Sequence, residues 1–156
     1  MITGFLIALL VSGVTGEDMV GFWHSIDCIP AGVGEALFLF PDGAYYYHVQ
    51  SGLSCIMGAT GSWSLVNDGM DLELRERNLV YTEYRDGEWG FGICPSPGNP
   101  VVVFPFNGEI VASEEERPFV TDAVSLTFWK LMADPSEALS WYVSPELYQV
   151  LFGNGD

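Results

Sequence analysis

Aromatic side chains with a hydroxyl or an indole N–H are the residues of this chain best suited to ligand chemistry. Tyr45 and Tyr47 alternate with Tyr46 and His48, so one of the two pairs must face the interior if this run is a strand. Such side chains suit a ligand with an apolar body and a few polar groups. The predicted binding wall consists of Phe38, Tyr45, Tyr47, Trp63, Tyr81, Phe91 and Val103. The alternative is a core that these side chains fill by themselves.

Catalytic and metal-binding patterns are not found in the sequence. It has no nucleophile elbow, phosphate loop or zinc-protease helix. We therefore predict no catalytic residue, no enzyme activity and no cofactor. His24 and His48 could approach the cysteines, but neither C-x-x-C nor H-x-x-x-H spacing occurs, so we predict no metal site.

Charge narrows the classes of partner. The formal net charge is -16, with 21 Asp and Glu residues against 5 Lys and Arg residues. Such an acidic protein repels phosphate backbones and anionic membrane surfaces, so we predict no nucleic-acid partner. The simplest role of the charge is solubility. Weak calcium binding and capture of a cationic ligand are the alternatives.

The N-terminal sequence is typical of an exported protein. Residues 5–11 form an apolar block, and small residues follow at positions 14–16. This order predicts a signal peptide over residues 1–16, although no Lys or Arg precedes the block. We expect a mature single domain over residues 17–156, secreted or periplasmic in the cell envelope, with no stable membrane anchor after cleavage. The alternative is an N-terminal strand or helix that packs on the domain.

Four tight-turn sequences divide the central part of the chain into short apolar segments. They are Pro41-Asp42-Gly43, Asn67-Asp68-Gly69, Arg85-Asp86-Gly87 and Asn107-Gly108. Gly supplies the positive φ of a hairpin turn, and Asn or Asp tolerates it. The segments predict strands near residues 20–25, 36–40, 44–50, 59–66, 70–75, 79–84, 88–93, 101–106, 109–112 and 125–131. We predict an all-β fold, an antiparallel up-and-down β-barrel of about 8–10 strands, with a two-sheet sandwich as the alternative.

The turns also predict a polarity for the sheet. If successive strands alternate in direction, all four tight turns lie at one end and the longer connections lie at the other. Cys28, Cys55 and Cys94 then all lie in loops at the long-loop end. An exported chain tends to pair its cysteines, so we predict a disulfide between Cys28 and Cys55.

Two proline-containing sequences predict short C-terminal helices. Asp134-Pro135-Ser136-Glu137 and Ser144-Pro145-Glu146 each supply an N-cap, a proline at the first helical position and an acid in the first turn. We expect helices over about residues 135–140 and 145–152, within a helical segment 134–152.

Several short phrases resemble a known family. Gly21-Phe22-Trp23 opens the first predicted strand, Lys130 lies in the last one, and Gly61-Ser62-Trp63-Ser64-Leu65 and the phrase from Leu39 to Tyr45 form hairpins between them. Together they resemble the small bacterial lipocalin-like (calycin) β-barrels over about residues 20–131. The resemblance implies that Trp23 closes the barrel floor against Lys130, where a cation–π contact can form.

The function expected of such a barrel is binding without catalysis. The protein would hold a small apolar or amphipathic ligand at the long-loop end. The alternative is a protein-interaction or inhibitor module with a filled core, which would contact its partner protein through residues 26–35 and 94–100.

Overall fold

One antiparallel sheet contains every strand of the described residues. The computed structural model describes residues 13–25, 34–50, 56–106, 110–112, 118–121 and 127–153. The strands are β1 (Gly21–His24), β2 (Gly34–Leu39), β3 (Ala44–Gln50), β4 (Ile56–Val66), β5 (Asp71–Arg85), β6 (Glu88–Pro95), β7 (Val101–Pro105), β8 (Val111–Ala112), β9 (Pro118–Thr121) and β10 (Thr127–Met132). The helices are α1 (Gly16–Met19), α2 (Pro135–Tyr142) and α3 (Pro145–Phe152). The predicted antiparallel β fold with short C-terminal helices is confirmed.

The order of the strands follows a meander whose first and last strands meet. The sheet runs β6-β5-β4-β3-β2-β1-β10-β9-β8, and β7 also pairs with β5. The ring centroids of Phe104 in β7 and Phe128 in β10 lie 5.8 Å apart, although four strands separate β5 from β10 in the sheet. The sheet therefore curls around its inner face. The ladders of the described residues do not close it into a barrel, since β8 stands at one end and β6 and β7 stand at the other.

The turn chemistry predicted from the sequence is present in the turns that the structure describes. Asn67 and Asp68 both have positive φ, at 53° and 56°, in the connection of residues 67–70 between the paired residues Val66 and Asp71. Asp86 and Gly87 repeat the pattern, with φ of 53° and 87°, and Gly43 has a φ of 84°. The fourth sequence, Asn107-Gly108, lies outside the described residues.

The two strands predicted at residues 70–75 and 79–84 are one continuous strand, β5. Residues 76–78 do not reverse the chain; the ladder with β4 instead shifts its register between Thr60 and Gly61. Gly61 permits this irregularity, because a Cβ there would clash with the carbonyl oxygen of Arg75. One predicted reversal is thus absent, and the turn at Asp86 lies at the opposite end of the sheet from the turn at Asp68.

The lost reversal also corrects the predicted polarity of the sheet. β6 pairs with the second half of β5, and β7 pairs with its first half, so both run in the same direction along one side of it. Cys94 lies opposite Leu79 within β6 rather than in a loop. The sequence pattern also fails to predict β9.

Both faces of the central strands are buried, and each face has its own cluster of apolar side chains. The helix-covered cluster contains Phe22, Phe38, Tyr46 and Val80 from the sheet and Ala138, Leu139, Tyr142, Val143 and Leu147 from α2 and α3. The inner cluster contains Met19, Trp23, Leu37, Leu39, Tyr45, Leu72, Phe106 and Phe128. β1 and most of β2 are therefore continuously buried instead of alternating between buried and exposed residues.

The C-terminal helices are capped as the sequence predicts. The Asp134 side chain accepts a hydrogen bond from the backbone N–H of Ser136 at 2.9 Å, and the Ser144 hydroxyl accepts one from Leu147 at 3.2 Å. Both helices begin at a proline, whose missing N–H has no partner to lose in the first turn. The caps fix two short helices on the outer side of the curled sheet.

Candidate functional site

A cavity of about 300 Å³ lies against the inner face of the sheet. Side chains from α1, β1 to β5, β7 and β10 form its wall. Its volume is at the lower end of the range for small-molecule sites. Val102 of β7 lines the cavity and is 54% exposed, so the wall reaches the surface beside this strand.

Two of the seven side chains predicted for the binding wall line this cavity, Tyr45 and Tyr47. Trp63 packs against the inner cluster but lies outside the cavity, and its indole Nε1 donates to the carbonyl oxygen of Phe40 at 2.9 Å. Tyr81 lies over Gly92 of β6, where an added Cβ would meet the tyrosine ring.

The predicted positions of Phe38, Phe91 and Val103 in the same wall are wrong. Phe38 belongs to the helix-covered cluster, and Phe91 packs against that cluster. Phe38 is the ladder partner of Tyr46, not of Tyr45, so the alternation of side chains places it on the outer face. Val103 is 47% exposed, and its neighbours on either side in β7 line the cavity instead.

Sequence reasoning missed two carboxylates in the cavity wall, Glu35 and Glu76. It placed Glu35 in a long loop and Glu76 in a reversal between two strands. Both residues belong to strands, β2 and β5. The signal available in the sequence was the i, i+2 series of Leu72, Leu74 and Glu76, which continues one face of β5 through the predicted reversal.

Each tyrosine of the cavity lies beside one of these glutamates. The Tyr47 hydroxyl donates to the Glu35 carboxylate, and burial together with this carboxylate raises the pKa of Tyr47 above its usual value. Burial and the charge of Glu76 raise the pKa of Tyr45 to about 12. Both phenols therefore keep their protons near neutral pH and can donate hydrogen bonds.

The position of Glu76 depends on Gly61. Tyr45, Gly61 and Glu76 are successive ladder partners across β3, β4 and β5. A Cβ on Gly61 would come within 2.9 Å of the Tyr45 ring, so the glycine makes room for that ring. The Ser96 hydroxyl, which is buried, donates a hydrogen bond to the Glu76 carboxylate.

Trp23 forms another part of the wall and makes the contact with Lys130 that the sequence predicts. Lys130 Nζ lies 5.5 Å from the centroid of the buried Trp23 ring. The indole Nε1 donates to the carbonyl oxygen of Met19 at 2.8 Å, and Lys130 Nζ donates to that of Asp18 at 2.8 Å. Gly21 is needed here, because a Cβ would crowd Lys130 Cε at 2.6 Å. Burial lowers the pKa of Lys130, and the nearby Asp18 charge opposes this change.

The two histidines lie on the other face of the sheet. His24 and His48 are both buried, and their rings lie 5.9 Å and 6.0 Å from the Tyr142 ring of α2. The Tyr46 hydroxyl and His48 Nδ1 are hydrogen-bonded at 2.6 Å. Burial, with a smaller contribution from His24, lowers the pKa of His48 to about 4. The histidines are thus part of the packing under the helices and do not face the cavity.

The cysteines contribute no chemistry to the cavity in the described ranges. Cys28 and Cys55 lie outside the described residues, so their predicted disulfide is not described. Cys94 has a free, half-buried thiol. Across the described ranges, no three His, Cys, Asp or Glu side chains are grouped to hold a metal ion.

Comparisons with known proteins identify no relative. No family model, no curated protein and no solved structure matches this chain. None of the helices described here has the length and apolar character needed to cross a membrane.

Proposed function

We propose that the protein is a lipocalin-like β-barrel that binds a small apolar or amphipathic ligand in the inner cavity and does not transform it. The observation that carries this proposal is the composition of the cavity wall. It is mainly aliphatic and aromatic, and its polar groups are two phenols, two carboxylates and one indole. A concave apolar wall with a few placed polar groups is the usual form of a small-molecule site.

The barrel part of the proposal is supported by the curvature of the sheet. β1 pairs with both β2 and β10, so the two ends of the meander meet. The contact between Phe104 and Phe128 brings β7 close to β10 across the inner face. The contact between Trp23 and Lys130, which the lipocalin-like resemblance implies, also supports the proposal.

We further propose that the protein is exported and cleaved near residue 16, with the disulfide Cys28–Cys55. Cleavage there retains the Met19 and Asp18 carbonyl groups that hold Trp23 and Lys130. The proposed pairing is supported by the ladder between Gly34, which follows the Cys28 segment in the chain, and Gln50, which precedes the Cys55 segment. Intact-mass measurement after alkylation should find one free thiol, and three free thiols would contradict the disulfide.

The binding proposal is tested with a neutral apolar dye and a matched pair of variants. N-phenylnaphthylamine fluoresces strongly in apolar surroundings, and the protein should bind it at one saturable site. Val102→Trp places an indole where the cavity wall reaches the surface. It should lower the affinity for the dye by about tenfold or more. Val103→Trp is the control, since its neighbouring side chain is similarly exposed but does not line the cavity.

Two results would contradict the binding proposal. Absence of saturable dye binding to the unmodified protein is one of them. Equal weakening by Val102→Trp and Val103→Trp is the other, because the dye would then bind outside the cavity. Native mass spectrometry of protein from its own host gives a second test, in which a retained small molecule should be lost from Val102→Trp.

A second candidate function is protein interaction, and one observation favours it. Tyr84 and Trp89 are 62% and 74% exposed, and their rings lie 5.2 Å apart beside the Asp86-Gly87 turn. Exposed aromatic pairs are typical of binding surfaces. Trp89→Ser should leave dye binding unchanged. Only a partner protein that binds the unmodified protein and does not bind this variant would support the function.

A further inference from the structure

Among the described residues, the wall of the inner cavity contains two acidic side chains and no basic one. Glu35 and Glu76 are its charged residues. We propose that the cavity selects ligands whose polar end is a protonated amine and whose body is apolar or aromatic. This inference rests on the proposed function. It names the ligand class that the wall complements.

Three of the four basic side chains among the described residues have partners outside the cavity. The four are Arg75, Arg77, Arg85 and Lys130, and none lines the cavity. Arg75 and Arg85 are exposed and pair with Glu73 and Glu83, at 2.6 Å and 3.0 Å. Lys130 donates to a backbone carbonyl of α1. Within the part of the chain that the structure describes, the charge of the cavity carboxylates is therefore not neutralised by an ion pair.

The hydrogen-bond partners of the two carboxylates are neutral. Glu35 accepts from the Tyr47 hydroxyl, and Glu76 accepts from the Ser96 hydroxyl. These donors orient the carboxylates but leave their charge in place, and each carboxylate keeps further acceptor sites. Both glutamates are half-buried in a largely apolar wall, where a charge without a counter-charge is unfavourable. A cation that enters the cavity relieves that cost.

The rest of the wall favours an organic cation over a metal ion. An ammonium group donates three hydrogen bonds, and a carboxylate beside a phenol oxygen can accept them. Rings of Trp23, Tyr45, Tyr47, Phe104 and Phe128 also line the cavity, and they can pack against an aromatic body and attract the cation by their faces. Calcium instead needs six to eight oxygen ligands, and a wall that is mainly carbon does not supply them.

Three indoles with the same ring and two-carbon chain test the selectivity. Tryptamine is a cation at neutral pH, tryptophol is neutral and indolepropionate is an anion. Each should displace N-phenylnaphthylamine with a different strength. We expect tryptamine to bind about tenfold more tightly than tryptophol, and indolepropionate to bind the most weakly.

Charge-removing variants locate the effect in the cavity. Glu35→Gln and Glu76→Gln keep the shape of the side chain. Each should lower the affinity for tryptamine by about fivefold to tenfold. The affinities for tryptophol and for the dye should stay within about twofold, which also reports that the variants are folded. Glu88→Gln is the control, because Glu88 is exposed near the β5–β6 turn. Its replacement removes one negative charge from the protein, as each cavity variant does. It should leave all three indoles unaffected.

The outcomes separate this inference from the proposed function. The amine selectivity would be overturned by equal affinities for tryptamine and tryptophol, or by an unchanged tryptamine affinity in both cavity variants. Dye binding would in that case still support the proposed ligand site in the cavity. An equal effect of Glu88→Gln would also overturn the amine selectivity, because it would then reflect the total charge of the protein. Failure of the dye and of all three indoles to bind would overturn the proposed function itself.

Discussion

The two faces of the sheet contain similar side chains and organise them differently. On the helix-covered face, α2 closes a packed stack in which the Phe22 ring lies 4.9 Å from that of Phe38 and 5.1 Å from that of Tyr142. On the inner face, the curled sheet encloses a cavity instead of a helix, with Tyr45 and Tyr47 in its wall. Because β1, β2 and β3 supply both faces, the difference comes from what covers them. The filled face stabilises the fold, and the inner face leaves the space in which we propose that a ligand binds.

Truncation of adjacent residues in β2 should show the largest difference between the faces. Phe38→Ala removes a fully buried ring from the helix-covered cluster and should lower the free energy of unfolding by about 3–5 kcal/mol. Leu37→Ala enlarges a cavity that already exists, so its cost should be nearer about 2 kcal/mol. Urea unfolding measures both values. A larger loss for Leu37→Ala would contradict the assignment of packing to one face and open space to the other.

The pH dependence of stability should also distinguish the faces. The pKa of His48 is lowered from 6.5 to about 4 in the folded protein, chiefly by burial. Below pH 6.5 the unfolded chain therefore binds a proton that the folded protein does not, and stability falls with pH until about pH 4. The full loss corresponds to about 3 kcal/mol.

The contribution of His48 is isolated by comparing variants over the same pH range. His48→Gln removes this imidazole from the helix-covered face, so the unfolding free energy of the variant should fall less between pH 6.5 and pH 4 than that of the unmodified protein. Tyr45→Phe on the inner face should keep the full fall, because its phenol does not titrate there. Identical pH slopes for His48→Gln and the unmodified protein would refute the assignment.

The smallest expected effect concerns the support of the inner face. Lys130→Met keeps most of the side-chain volume but removes the charge over Trp23 and the hydrogen bond to the Asp18 carbonyl. It should cost about 1 kcal/mol, and dye affinity should change little, since Lys130 does not line the cavity. A loss as large as that of Phe38→Ala would mean that the inner face carries the stability of the fold.

Local sequence chemistry was enough to predict much of this fold. β3 has the predicted bounds of residues 44–50, because alternating tyrosines follow a turn that needs Gly43. Asp134 and Ser144 cap the two helices because each precedes a proline, and proline favours the first position of a helix. The Trp23–Lys130 contact followed from the family resemblance, with no need to know the strand order.

Other features depend on long-range packing that the sequence does not display. Phe38 could not be assigned to a face, because both faces of β2 are apolar and alternation alone does not say which one the helices cover. The continuity of β5 depends on the register shift at Gly61, which lies in a different strand. Glu35 and Glu76 were missed for related reasons, since a predicted loop and a predicted reversal hid their places in the cavity wall.

The central claim is that ligands enter the inner face and not the packed face. It is tested most directly by a methyl NMR titration with N-phenylnaphthylamine on protein labelled at leucine and valine. We expect saturable shifts at the methyl groups of Leu37, Leu39 and Leu72, and no shifts at those of Val80, Leu139 and Leu147. Shifts confined to the second group, or no saturable shift in either group, would contradict it.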